Sequence, residues 1–288
     1  MASTPSFDTL ISAASWLAQR DRGAPWVVLD ASFDLADPAA GERAYQEAHL
    51  PGAVYVHLDR DLCGEKTGRN GRHPLPSRAA FAATAARLGI TPATQVVVYD
   101  RQGAMFAARV WWMLRWLGHA AVAVLDGGLA AWQAAGGAVE GGVVQPQAQA
   151  AYPLSDAPSP LTRTVDAATL LSQLDRVVLI DARAPERYRG EVEPLDAQAG
   201  HIPGALNRPF KDNLAADGCF KPAALLRAEL QAVIGAQPGR EVVHQCGSGV
   251  TACHNLLAAA VAGLDAAALY AGSWSEWSSD PTRPVARG

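Results

Sequence analysis

The sequence predicts an α/β protein of two tandem domains, each a parallel sheet flanked by helices. Three observations carry that reading. Short β-branched runs alternate with helical patterns, as strand–helix–strand units require. One set of sequence anchors occurs twice, in the same order, and a stretch rich in Pro, Gly and Ala separates the copies. The 288 residues are enough for two domains, each with its own core.

The anchors follow in chain order. "WVVLDAS" (26–32) returns as "VVLIDAR" (177–183), an apolar strand ending in Asp30 or Asp181. "HLPGAVYV" (49–56) returns as "HIPGALNR" (201–208), "VVVYDRQG" (96–103) as "VVHQCGSG" (242–249), and "LDGGLAAW" (125–132) as "LYAGSWSEW" (269–277). The repeat is far longer than the roughly 20–50 residues of a solenoid unit, so it marks a duplicated domain. Between strands, 77–89 reads as a helix from a capping Ser77 to Gly89, and 104–118 as a helix apolar nearly all round. The stretch 140–164 has linker composition. The expected division is an N-terminal domain over 1–142, a linker over 143–163 and a C-terminal domain over 164–288.

Composition narrows the function. Hydrophobic content of 49% with 18% charged residues is that of a globular protein. A net charge of −4 offers no basic field for nucleic acid or an anionic membrane, so neither is an expected partner. No apolar run reaches the ~18–20 residues of a membrane span. The N-terminal segment lacks a charged region leading into an apolar core, so a cytoplasmic location is expected. The 4 cysteines, Cys63, Cys219, Cys246 and Cys253, are too scattered for a disulfide framework or a metal site.

Parallel α/β domains place their chemistry at the carboxyl ends of strands. Cys246 stands there in the second half and Asp100 in the first, which predicts one catalytic and one silent domain. In "CGSGVT" (246–251), Gly247 and Gly249 let the backbone curl round the sulfur. Inward N–H groups and a helix starting near Val250 favour the thiolate. A buried inert thiol is the alternative for an isolated cysteine, but the strand, glycine-rich loop and helix argue against it. A cysteine phosphatase needs an arginine at the far end of the loop, and Ala252 stands there.

The loop, with "GHIPGA", "RYRGE" and "LYAGSWSEW", resembles the tandem-domain rhodanese family, and within it the 3-mercaptopyruvate sulfurtransferase branch. The resemblance spans both halves. It implies two rhodanese-type domains, the second catalytic, and an enzyme without cofactor or metal that carries sulfane sulfur as a persulfide on Cys246. The implied donor is 3-mercaptopyruvate, and the implied acceptors are a thiol, cyanide or a thioredoxin-type dithiol. A thiosulfate sulfurtransferase and a persulfide carrier with little turnover are the alternatives. Thiosulfate-using relatives carry two basic residues where this chain has Gly247 and Ser248.

By the same resemblance, Asp59, His73 and Ser248 form a relay, and Arg187 binds the donor carboxylate with the loop residues Gly247, Gly249, Val250 and Thr251 around it. Leu195 stands where the branch carries a second arginine. Taken alone, His73 reads as a loop histidine, Asp59 as a turn residue and Cys253 as a buried helix residue. Trp274 and Trp277 read equally as pocket walls or as packing.

Overall fold

The computed structural model describes residues 6–20, 25–154, 162–237, 239–264 and 267–288. Residues 155–161, part of the expected linker, lie outside that set. The chain folds as two compact units. The first is built mainly from the N-terminal half together with Ala216–Cys219, and the second mainly from the C-terminal half together with Cys63–Leu75.

Each unit holds one five-stranded parallel sheet. The first contains β1 (Leu10–Ile11), β2 (Trp26–Asp30), β3 (Val54–Tyr55), β4 (Gln95–Tyr99) and β5 (Val122–Leu125) in the order β1-β5-β4-β2-β3. The second contains β6 (Arg163–Thr164), β7 (Val177–Asp181), β8 (Leu206–Asn207), β9 (Glu241–Gln245) and β10 (Ala268–Leu269) in the order β6-β10-β9-β7-β8. The two orders are the same permutation, so the sequence repeat is a structural repeat. β4 and β7 are buried along their whole length, which explains their nearly continuous apolar runs: helices cover both faces of a parallel sheet. The expected helices occur as Arg78–Arg87, capped by the Ser77 side chain, and Ala107–Leu117, closed by Gly118 in the left-handed region.

The topology positions the chemistry. From β2 the chain moves outward to β3, whereas β4 leads to β5 on the other side; β7 and β9 repeat the arrangement. The crevice between oppositely directed connections lies at the carboxyl ends of these paired strands. Asp30 pairs in register with Tyr99, and Asp181 with Gln245, so Asp100 and Cys246 are the first residues beyond the sheet at equivalent points.

Ile11, Val97, Tyr99, Leu125 and Trp132 belong to the core of the first unit, and Leu179, Ile202, Val243, Trp274 and Trp277 to that of the second. Trp274 and Trp277 are therefore packing residues, each 0% exposed, and not pocket walls. The Trp274 indole donates to the carbonyl of Gln198 at 2.9 Å and lies under the Arg183 guanidinium at 4.8 Å. Among the described residues no helix is long and apolar enough to cross a membrane.

Asp181 is fully buried at the end of β7 and is held by Arg183, whose guanidinium also donates to the Gly200 carbonyl and reaches Glu193. Removing one partner of such a pair leaves a buried charge without compensation. Arg183→Ala is expected to lower unfolding stability by about 3–5 kcal/mol in urea titration.

Candidate active site

The nucleophile candidate is buried, not displayed. Cys246 is 1% exposed, and the backbone N–H of Gly249 donates to its Sγ at 3.1 Å. That contact needs a sharp reversal, and Gly249 supplies it with φ +78°. A Cβ at this position would stand 2.3 Å from the carbonyl oxygen of Ala271, so glycine is required twice over. Beyond it the helix Thr251–Val261 begins, with its N-terminal end at the loop.

The outer side of the loop is fixed by the short helix Ser273–Trp277. The N–H groups of Trp274 and Ser275 donate to the carbonyls of Cys246 and Gly247, each at 2.9 Å. The Cys246 N–H donates to Ser273 Oγ at 3.1 Å, and that hydroxyl donates to the Tyr270 carbonyl. Ser273 adopts φ 53°, an uncommon backbone state for serine that turns its hydroxyl under the loop.

Ser248 and His73 meet. Ser248 Oγ lies 2.7 Å from His73 Nδ1, with both residues buried. Cys63–Leu75 belongs to the second unit, which brings a histidine from the first half of the sequence to the loop of the second. Asp59 lies in the first unit, in the first turn of the helix Leu58–Asp61. Val250 caps the helix Thr251–Val261, and Thr251 opens it.

Arg187 also lies at the loop. The site where a Cβ on Gly247 would stand is 3.4 Å from Arg187 Nη1 and 3.0 Å from Arg72 Nη2. Arg72 was not singled out by sequence; its only signal is its place beside His73 in "GRHPLP". Its backbone N–H donates to Ser275 Oγ at 3.0 Å. Leu195 is exposed, and the second guanidinium beside Gly247 belongs to Arg72.

Two carboxylates occupy these guanidiniums. Asp196 bridges Arg72 and Arg187, the latter at 3.1 Å, and Glu193 takes Arg187 at 2.7 Å and Arg183 at 3.4 Å. Burial pushes the Asp196 carboxyl up, against the pull of Arg72 and Arg187. Among the described residues no group of His, Cys, Asp or Glu is placed to hold a metal ion.

The first unit shows what the same loop does without a thiol. Asp100 is buried, and its carboxylate accepts from the N–H groups of Gln102, Ala104, Phe106 and Ala107 at 2.7–2.9 Å. Burial pushes its carboxyl up while those four donors oppose the shift. The anion cradle persists there, filled by the chain's own carboxylate. Cys253 is buried in its helix and donates to the Gly249 carbonyl, as a structural thiol does.

The rhodanese-like domain model matches this chain twice, over residues 13–135 and 164–280. The chain belongs to the rhodanese-like family. It is 48% identical to a Pseudomonas aeruginosa protein named for 3-mercaptopyruvate sulfurtransferase, covering 96% of this chain and 97% of that one. It is equally 48% identical to a Mycobacterium tuberculosis protein named for thiosulfate sulfurtransferase, covering 97% of each. The solved 3-mercaptopyruvate sulfurtransferase from Leishmania major superposes with a TM-score of 0.83 at 29% identity, over 96% of this chain and 76% of that one. With these relatives the protein is a sulfurtransferase.

Gly249→Ala places a Cβ into the Ala271 carbonyl and forces a left-handed residue without glycine's freedom. It is expected to cost more than about 1 kcal/mol in urea titration and to lower the fraction of Cys246 that accepts sulfur, read by intact mass.

Proposed function

We propose that the protein moves sulfane sulfur from 3-mercaptopyruvate to a thiol, cyanide or thioredoxin-type acceptor through a persulfide on Cys246. The observation that carries this reading is the Ser248–His73 hydrogen bond at 2.7 Å, beside a nucleophile whose own loop holds no charged side chain. Leaving-group chemistry on a keto acid needs a hydrogen-bond donor where charge develops, and this pair can supply one.

The Cys246 thiolate attacks the donor sulfur. An S–S bond forms, the C–S bond breaks, and its electron pair passes into an enolate whose charge rests on the former carbonyl oxygen. With Nδ1 protonated, His73 donates to Ser248 Oγ and leaves the hydroxyl proton for that oxygen. Protonation at carbon yields pyruvate. Arg187 meets the donor carboxylate. The acceptor thiolate then attacks the outer sulfur and releases the Cys246 thiolate, a two-stage covalent cycle.

Thiosulfate is the second reading, favoured by the two guanidiniums over Gly247 and by the equally similar relative named for it. Against it, Asp196 and Glu193 already engage those cations, so a dianion meets little net positive charge. Steady-state assays with both donors decide between them: a higher kcat/KM for thiosulfate overturns the keto-acid reading.

Cys246→Ser is expected to abolish turnover, and intact mass after donor treatment should show one added sulfur on the wild type only. Ser248→Ala and His73→Asn should each slow 3-mercaptopyruvate turnover by about 10²–10³, with the double variant no worse, because the pair acts as one unit. By contrast, Asp100→Asn should change turnover per folded molecule by less than about tenfold, roughly 1.4 kcal/mol of barrier. A larger loss there would place chemistry in the first unit.

A further inference from the structure

Three guanidiniums (Arg72, Arg183 and Arg187) and three carboxylates (Asp181, Glu193 and Asp196) are joined by ion pairs beside the Cys246 loop. Their formal charges cancel. A donor whose anionic end must be gripped beside Gly247 therefore meets arginines that are already engaged.

The carboxylates are not equivalent. Asp181 is locked to Arg183 at the end of β7, and Glu193 spans Arg183 and Arg187. Asp196 alone joins Arg72 to Arg187, the two arginines whose tips flank the space over Gly247. It sits in an irregular segment beside the exposed Leu195, so its side chain can leave without unwinding a helix or a strand. Among the described residues the buried Arg187 Nε has no hydrogen-bond partner, so that guanidinium has a donor in reserve.

We propose that Asp196 is the donor-selecting residue of this site: it is a resident carboxylate between Arg72 and Arg187, and an anionic donor binds by taking its place. The inference rests on the sulfurtransfer reading above and adds a residue that decides which donor succeeds. A monocarboxylate that displaces Asp196 restores the local charge balance, one anion for another. A dianion such as thiosulfate gains from the exchange only if Asp196 is neutral. Burial already pushes the Asp196 carboxyl up, so its ionised form is better solvated outside the slot.

The test compares the wild type with Asp196→Asn, Arg72→Gln, Arg72→Lys and the double variant of Asp196→Asn with Arg72→Gln. KM and kcat are measured with 3-mercaptopyruvate and with thiosulfate, and the affinities for pyruvate and sulfate are measured by calorimetry. Asp196→Asn is expected to bind pyruvate and sulfate at least about tenfold more tightly, the scale of one charged hydrogen bond. It should lower KM for 3-mercaptopyruvate more than it changes kcat, and raise kcat/KM for thiosulfate by the larger factor. Arg72→Gln should weaken pyruvate by a similar factor, Arg72→Lys should restore part of it, and the double variant should be non-additive.

Pyruvate affinity in Asp196→Asn that equals or falls below the wild type overturns the proposal. If Asp196→Asn fails to fold, the Arg72 series decides, and wild-type pyruvate binding by Arg72→Gln overturns it equally. Absence of 3-mercaptopyruvate turnover in the wild type would instead defeat the donor reading, while the pyruvate and sulfate affinities still judge Asp196.

Discussion

The site depends on one backbone constraint: a chain leaving the end of a central strand must turn back at once and point an N–H at its own first side chain. At Cys246 the turn requires Gly249 at φ +78°, because the Ala271 carbonyl fills the space a side chain would need. Other features of the site are consequences. The helix Thr251–Val261 starts where the turn ends, and the helix Ser273–Trp277 binds the carbonyls that the turn exposes. The buried core tryptophans 274 and 277 hold that second helix in place. A residue far from the sulfur in sequence thus sets the geometry at the sulfur.

The two units apply this constraint to different anions. In the first, the carboxylate of Asp100 takes four N–H donors, which satisfies the cradle from within the chain. In the second, the Cys246 sulfur takes the Gly249 N–H, and a thiol can form an S–S bond, which a carboxylate cannot. The two units keep one strand order and differ in the group the cradle holds, a carboxylate in the first and a thiol in the second.

Much of this was legible in the sequence, and the limits have physical causes. The repeated anchors foretold two sheets of equal topology because each anchor is a strand plus the turn that ends it, and that pairing is local. The helix 78–87 was visible through Ser77 and Gly89, and the helix 107–117 through its all-round apolar run, which began three residues early at 104. The assignment of Cys63–Leu75 to the second unit was not visible, because no periodicity marks a segment that packs away from its neighbours in sequence. Arg72 and Asp196 were missed for the same reason: their partnership spans the chain and leaves no local pattern. Trp274 and Trp277 were undecided because an aromatic in a post-strand loop reads equally well as wall or core, and only the packing decides.

The residue after Cys246 shows how one such long-range swap shapes the site. The strand-end aspartates, Asp30 and Asp181, both need a cation in a buried place. In the first unit Ser32 cannot provide it, so Arg101, the residue after Asp100, pairs with Asp30 at 2.8 Å and also donates to Ser32 Oγ. In the second unit Arg183 stands in the position of Ser32 and neutralises Asp181 from its own strand end. The residue after Cys246 is thereby released from charge compensation and is glycine. The room over that glycine is flanked by Arg72 and Arg187, whose distance to a Cβ there would be 3.0–3.4 Å. A basic side chain at position 247 would meet like charges at contact distance, a costly arrangement in a partly buried site. The bare loop and its external arginines are therefore two sides of one solution, in which the guanidiniums flank the turn from other segments instead of being carried on it.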